Sequence, residues 1–169
     1  MVIAYTLLEM GDVNRKIYLY DTFEGMPKPT EHDYAITDKN FRAISIWRKH
    51  QRDRHNQWCY ASLSEVKKNM FATGYPEDKI IFVKGEVQDT IPNEMPLKIA
   101  LLRIDTDFYE STKHELIHLF PVIVHHGVLL IDDYGTWAGS KKAVDEYFSQ
   151  KNILLNRVDH DGRIGIKIE

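Results

Sequence analysis

Three aspartates that directly follow apolar runs could do chemistry together. Asp105 follows residues 99–104 (IALLRI), and the adjacent pair Asp132 and Asp133 follows residues 128–131 (VLLI). Carboxylates at neighbouring strand ends repel one another and lose solvation, so a cation or a substrate donor would stabilise such a cluster. Hard oxygen ligands suit Mg²⁺, Ca²⁺ or Mn²⁺ rather than zinc. The sequence therefore leaves two interpretations open: a divalent-cation site, or aspartates that only solvate strand ends or cap the following helices.

Alternating strands and helices are predicted to position these carboxylates. Apolar spacing predicts a helix from Val2 to near Gly11, and Ser62 with Glu65 forms a capping-box pattern that opens another. The other predicted elements are strands at 17–20, 80–83, 99–104 and 128–131 and helices at 111–120 and 140–149. This alternation predicts a parallel sheet covered by helices, with its ligand crevice at the carboxyl ends of the strands. Asp21 ends the first of these strands, so it should lie at the same edge.

The remaining segments are less regular. Residues 153–158 and 164–168 predict an antiparallel hairpin at the sheet edge. Residues 26–40 are predicted to form a loop, and residues 41–55 a helix with a weak period. Cys59 is expected to be a buried small side chain, and His125 and His126 are expected to be exposed in a turn.

Composition limits the class of protein. The 169 residues correspond to one domain, and the formal net charge of −3 gives no basic surface for nucleic acid. The single cysteine cannot form an internal disulfide, which favours the cytoplasm. The apolar runs are far shorter than the roughly 20 residues needed to cross a bilayer, so no membrane partner is expected.

Three motifs carry a resemblance to a known family. They are residues 20–27 (YDTFEGMP), residues 105–112 (DTDFYEST), and residues 131–135 (IDDYG) followed by residues 143–148 (AVDEYF). In this order and spacing they resemble the macrocin O-methyltransferase family, over about residues 5–168. Members of that family methylate sugar hydroxyls on natural products such as macrolides and aminocoumarins. The resemblance implies a Rossmann-like class I methyltransferase fold, with a mostly parallel sheet and an antiparallel C-terminal hairpin.

The resemblance also implies a metal and a proton acceptor. It implies Mg²⁺ held by Asp105, Asp132 and Asp133. Asp107 is the implied general base, although Asp105 has been considered for that role too. Such a site fits the chemistry, because a cation chelated by two neighbouring hydroxyls lowers the pKa of the reacting hydroxyl. A nearby carboxylate can then accept its proton.

S-adenosylmethionine is the methyl donor that the resemblance implies. Asp21 would hold the ribose hydroxyls of the donor. Gln88 would contact the adenine, within a turn that also contains Glu86 and Asp89. A sugar or glycoside is the implied acceptor, and the polar segment 26–53 is expected to help form the lid that selects it. A homo-oligomer is left open.

One departure from the family pattern concerns the N-terminus. Family members begin with a strand and a glycine-rich turn that contacts the donor, whereas Met1 stands inside the helix that should follow that turn. The resemblance thus implies an N-terminally truncated methyltransferase domain. It also places the absent strand centrally, between the strands that end at Asp21 and Asp105.

Two alternatives remain open at the level of the sequence. A glycosyltransferase could use Asp105-Thr106-Asp107 as a D-x-D clamp for a metal and a nucleotide sugar, although this leaves Asp132 and Asp133 unexplained. The chain could also be an inactive remnant or scaffold of a methyltransferase that keeps the carboxylates without the donor loop.

Overall fold

The computed structural model describes residues 1–151 and 153–168. In chain order the elements are α1 (Val2–Glu9), β1 (Ile17–Asp21), β2 (Tyr34–Ala35), β3 (Asp38–Arg42), α2 (Ala43–His50), α3 (Leu63–Phe71), β4 (Ile80–Lys84), α4 (Val87–Thr90), β5 (Ile99–Ile104), α5 (Tyr109–Leu119), β6 (Ile123–Ile131), α6 (Ala138–Phe148), β7 (Leu155–Arg157) and β8 (Arg163–Ile166). Short 3₁₀ turns occupy Glu77–Lys79 and Phe120–Val122. The chain divides into two compact units: unit 1 comprises residues 1–27 and 50–90, and unit 2 comprises residues 28–49 and 91–169.

Unit 1 is built on a parallel pair of strands. β1 and β4 pair in register, with Asp21 opposite Lys84 at their carboxyl ends. A buried apolar cluster of Ala4, Met70, Tyr75 and Ile80 packs α1 and α3 against this pair. The Ser62 hydroxyl accepts a hydrogen bond from the Glu65 amide at 3.3 Å, as the predicted cap requires.

Unit 2 contains a mixed sheet in the order β5-β6-β8-β7. β5 and β6 are parallel, whereas β8 is antiparallel to both β6 and β7, which confirms the predicted C-terminal hairpin. From Gly127 to Ile131, alternate residues of β6 are buried, as expected for a strand with one face on the core. The fully buried side chains of this core include Ile104, Leu116, Leu129, Ile131 and Val144.

The sheet predicted as continuous is divided. Among the described strands, β1 pairs only with β4, and β5 pairs only with β6. The order of elements and the parallel pairings agree with the prediction.

Several local expectations were wrong. The predicted loop at 26–40 holds the hairpin partners β2 and β3, which the sequence concealed because every residue of β3 is exposed and carries no apolar alternation. His125 and His126 are exposed but lie within β6, where His126 adopts φ 62° at an irregularity rather than a turn. Cys59 is exposed, not buried. In the described part of the chain, no helix combines the length and apolarity that a bilayer crossing needs.

Candidate functional site

β5 and β6 bring the predicted carboxylates together. Their parallel register aligns Ile104 with Ile131, so Asp105 and Asp132 leave the sheet side by side. The Asp132 amide donates a hydrogen bond to the Ile104 carbonyl at 3.0 Å, which fixes the two strand ends. The carboxyl ends of parallel strands meet at one edge, as the sequence predicted.

Asp107 has an unusual backbone conformation. It adopts φ 63°, a left-handed conformation that non-glycine residues rarely occupy. The surrounding hydrogen bonds hold it there: the Phe108 amide donates to the Thr106 carbonyl at 2.7 Å, and the Asp107 amide donates to Asp133 Oδ2 at 3.2 Å. The Trp137 indole N–H also donates to the Asp107 carboxylate. Strained residues held in this way concentrate at functional sites.

The carboxylate cluster has a defined geometry. One oxygen from each of Asp105, Asp107 and Asp133 lies within 4.8 Å of the other two. Asp132 is outside this group of three, although Arg103 pairs with both Asp132 and Asp105. The Arg103 guanidinium pairs with Asp105 Oδ2 at 2.6 Å and with Asp132 Oδ1 at 3.1 Å. The Arg103 guanidinium thus pairs with two of the four acidic side chains in this region.

Proton affinities within the cluster are high. Partial burial raises the pKa of Asp105 to about 7, with the carboxyls of Asp132 and Asp133 adding to the rise and Arg103 opposing it. Burial together with the charges of Asp107 and Asp132 raises the pKa of Asp133 to about 7.

The pKa of Asp107 is raised by some of its surroundings and lowered by others. Burial and the neighbouring charge of Asp105 raise its pKa to about 6, while hydrogen bonds with Asp133 and Trp137 lower it. These perturbations mark a candidate functional site, because carboxylates that crowd one another favour a bound proton or a bound cation.

Glu115 extends the acidic cluster into the core. It lies on α5, is buried, and accepts a hydrogen bond from the Thr106 hydroxyl at 2.8 Å. Burial, together with the charges of Asp105 and Asp133, raises the pKa of Glu115 to about 8. Glu115 could not be identified from the sequence, because nothing in a helical stretch distinguishes a buried glutamate from a solvated one. Arg103 was also not predicted, although it is the single charged residue in the apolar run 99–104.

The residues of the cluster fit a divalent cation. Three carboxylate oxygens converge within 4.8 Å, and oxygen is the ligand type that Mg²⁺, Ca²⁺ and Mn²⁺ prefer. Arg103 supplies one positive charge against four carboxylates, so the cluster keeps an excess of negative charge for a cation to neutralise.

The predicted donor-binding residues lie in unit 1. Asp21 ends β1, is exposed, and accepts a hydrogen bond from the Phe23 amide at 2.6 Å through Oδ1. The Gly85 amide donates to the Asp21 carbonyl at 3.1 Å, so the turn after β4 lies beside it. Glu86, Gln88 and Asp89 follow in that turn and in α4, and all three are exposed. The structure thus brings the predicted donor residues to one end of the β1–β4 pair.

Known proteins resemble this chain in sequence. The demethyldecarbamoylnovobiocin O-methyltransferase of Streptomyces niveus is 32% identical over 159 residues, which cover 92% of this chain and 57% of the relative. The 8-demethyl-8-(2,3-dimethoxy-alpha-L-rhamnosyl)-tetracenomycin-C 4'-O-methyltransferase of Streptomyces olivaceus is 31% identical over 154 residues, covering 90% and 55% respectively. The chain therefore spans little more than half the length of these curated relatives.

Solved structures agree with the predicted fold class. The O-methyltransferase NovP superposes with a TM-score of 0.81 at 28% identity, covering 99% of this chain and 66% of that one. The calicheamicin methyltransferase CalS11 has a TM-score of 0.65 at 18% identity, covering 96% and 65%, and shows the fold alone. The macrocin-O-methyltransferase (TylF) family model matches residues 1–164. The chain therefore belongs to the macrocin O-methyltransferase family.

Proposed function

We propose that the protein is a Mg²⁺-dependent, S-adenosylmethionine-dependent O-methyltransferase that acts on a sugar hydroxyl of a natural product or glycan. The observation that carries the proposal is the crowded carboxylate cluster at the ends of β5 and β6 in a chain of this family. Both relatives described above are named for O-methylation of natural products, one of them a rhamnosyl tetracenomycin.

The proposed metal ligands are Asp105, Asp132 and Asp133. Asp105 and Asp133 belong to the converging group of oxygens, and Arg103 links Asp132 to Asp105 by pairing with both carboxylates. For Asp132 to bind the same cation, Arg103 must release it or share it. The alternative set replaces Asp132 with Asp107, whose oxygen already lies within 4.8 Å of the other two. Mg²⁺ at this site would lower the pKa of a chelated hydroxyl and fix its orientation.

Asp107 is the proposed proton acceptor. An alcohol is a poor nucleophile until it loses its proton, so a carboxylate beside the acceptor hydroxyl promotes transfer. The pKa of about 6 keeps Asp107 mostly ionised near neutral pH, yet more basic than an ordinary aspartate. The Trp137 indole N–H holds this carboxylate in place from a buried position.

The donor would bind through residues of unit 1. Asp21 has exposed carboxylate oxygens at the end of β1 that suit vicinal ribose hydroxyls. Gln88, between Glu86 and Asp89, offers an exposed amide for adenine. S-adenosylmethionine, when bound, supplies a methyl group activated by its sulfonium.

Labelled methyl transfer tests this function. The chain is incubated with radiolabelled S-adenosylmethionine, Mg²⁺ and a panel of rhamnosyl and noviosyl glycosides, with EDTA as the metal-free control. Label in the sugar that EDTA abolishes supports the proposal. Absence of transfer together with absence of S-adenosylmethionine binding by calorimetry would instead identify an inactive remnant or scaffold.

The same calorimetry separates methyl transfer from glycosyl transfer. Family membership favours the methyl donor over a nucleotide sugar. Binding of UDP-sugars with Mn²⁺, without binding of S-adenosylmethionine, would overturn the methyltransferase proposal and support a D-x-D clamp on Asp105-Thr106-Asp107. The cytoplasmic location that the single cysteine favours does not affect the outcome of either assay.

A further inference from the structure

Asp33 is a buried carboxylate that the proposed reaction does not use. It precedes β2 in unit 2 and is fully buried. Its Oδ2 accepts hydrogen bonds from the Thr30 amide at 2.7 Å and from the Thr30 hydroxyl at 2.9 Å. Its Oδ1 accepts a hydrogen bond from the Tyr109 amide at 2.8 Å, across 76 positions of sequence. A buried charge with this many donors is held in one position.

The Asp33 carboxylate lies at the N-terminal ends of two helices. Tyr109 is the first residue of α5, and the local cap residue Phe108 has no side-chain acceptor, so Asp33 supplies the cap instead. Gly139 is the second residue of α6, and a Cβ there would stand 1.9 Å from Asp33 Oδ1. Asp33 therefore caps α5 through the Tyr109 amide and packs closely against the first turn of α6, where the helix dipole favours a carboxylate.

Both helices begin just after the carboxylate cluster. Tyr109 stands two residues after Asp107 in the sequence. Trp137 immediately precedes α6, and its amide donates to the Asp133 carbonyl at 3.0 Å. A displacement of either helix end would therefore move Asp107 or Asp133.

Asp33 also belongs to a segment that contacts Trp137. In this segment, residues 30–42, Ala35 forms a bridge with Trp137, and the Ile36 amide donates to the Thr136 carbonyl at 3.0 Å. The Phe41 ring stacks on the Trp137 indole with 6.5 Å between ring centroids, and half of Phe41 stays exposed. The Asp33 carbonyl accepts from the Ala43 amide at 3.0 Å, which fixes the far end of the segment.

We infer that Asp33 is a positioning residue whose carboxylate joins the first turns of α5 and α6. In this way it sets the separation of Asp107 and Asp133. It also holds segment 30–42 beside Trp137. The expected effect on metal affinity rests on the proposed function. The expected effect on hydrogen exchange at the Tyr109 amide does not.

Asp33→Ala tests this role, with Asp38→Ala as the matched control. Asp38 lies in the same segment but is exposed, and its carboxylate caps only the nearby Asn40 amide at 2.9 Å. In Asp33→Ala, which removes both acceptor oxygens, we expect hydrogen exchange at the Tyr109 amide to accelerate by about tenfold or more, and Mn²⁺ affinity to fall by about tenfold. Asp38→Ala should change neither. Unchanged exchange at Tyr109 in a folded Asp33→Ala protein would overturn the inference.

A second pair of variants separates positioning from general destabilisation. Gly139→Ala keeps the Asp33 carboxylate but displaces it, so it should weaken Mn²⁺ binding in the same direction as Asp33→Ala. Val144→Ala truncates a buried side chain of α6 away from its first turn, so it should lower thermal stability without changing Mn²⁺ affinity. Equal losses of Mn²⁺ affinity in Val144→Ala and Gly139→Ala would show a merely structural role. If the wild-type chain binds no Mn²⁺, the proposed metal site fails, while the exchange measurement still decides the role of Asp33.

Discussion

Carboxylates at strand ends behave differently in the two units. In unit 1, Asp21 is exposed and accepts a hydrogen bond from a backbone amide only two residues away. In unit 2, Asp105, Asp107 and Asp133 converge within 4.8 Å, and their pKa values rise to about 6 or 7. The same sequence signal, an aspartate after an apolar run, thus gives a solvated hydrogen-bonding group in one unit and a strained cluster in the other. Mutual proximity and burial, rather than strand-end position, distinguish the candidate metal site.

The largest expected effect is on catalysis. Asp107→Asn should lower the rate of methyl transfer by about 10²–10⁴-fold, because a positioned general base contributes about that much. Asp78→Asn, which changes an exposed carboxylate of unit 1 outside the proposed donor site, serves as the control and should stay close to the wild-type rate. Initial rates with labelled donor measure both. A wild-type rate in Asp107→Asn would remove its role as the base.

A second effect concerns stability and pH at Glu115. The folded-state pKa of about 8 exceeds the ordinary value of 4.5, so between these values the folded protein keeps a proton that the unfolded chain releases. Stability that is present below pH 4.5 is therefore lost as pH rises towards 8, by about 1.4 kcal/mol per pH unit at most.

Glu115→Gln should remove this contribution. The variant should gain stability relative to wild type as pH rises from 5 to 8, measured by urea unfolding at each pH. Taking the difference between the two proteins cancels the contribution of the other carboxylates. A constant difference across this range would mean that Glu115 is ionised in the folded protein.

A third effect decides between the two ligand sets. If Asp132 is a ligand and Asp107 is the base, Asp132→Asn should weaken Mn²⁺ binding by about tenfold, whereas Asp107→Asn should leave it within about twofold. Titration calorimetry of both variants gives the comparison. The reverse order would assign Asp107 to the metal in place of Asp132.

The smallest expected effect lies in unit 1. Asp89→Asn should change the free energy of unfolding by no more than about 0.5 kcal/mol, because Asp89 is exposed. Urea unfolding measures this change. A loss of several kcal/mol would show that the acidic residues of unit 1 also carry structural strain, which would weaken the contrast between the two units.

The sequence predicted the parts of the fold that depend on local pattern. The strand at 99–104 and the position of Asp105 at its end were predicted correctly, because a run of apolar residues is a local signal that the sequence shows directly. The hairpin of β2 and β3 escaped, because its exposed residues are held by long-range contacts such as the bridge from Ala35 to Trp137. The long-range cap from Asp33 to Tyr109 and the left-handed φ of Asp107 were equally invisible, since both depend on residues distant in sequence.

Mn²⁺ binding to the wild-type chain and to an Asp105→Asn/Asp133→Asn double variant tests the central claim most directly. Both residues belong to either proposed ligand set, and Asp21→Asn provides the matched control from unit 1. Electron paramagnetic resonance of free Mn²⁺ during titration should show one site per wild-type chain, retained in the control and lost in the double variant. Binding that survives in the double variant, or that disappears in the control, would contradict the assignment of the metal to the carboxylate cluster of β5 and β6.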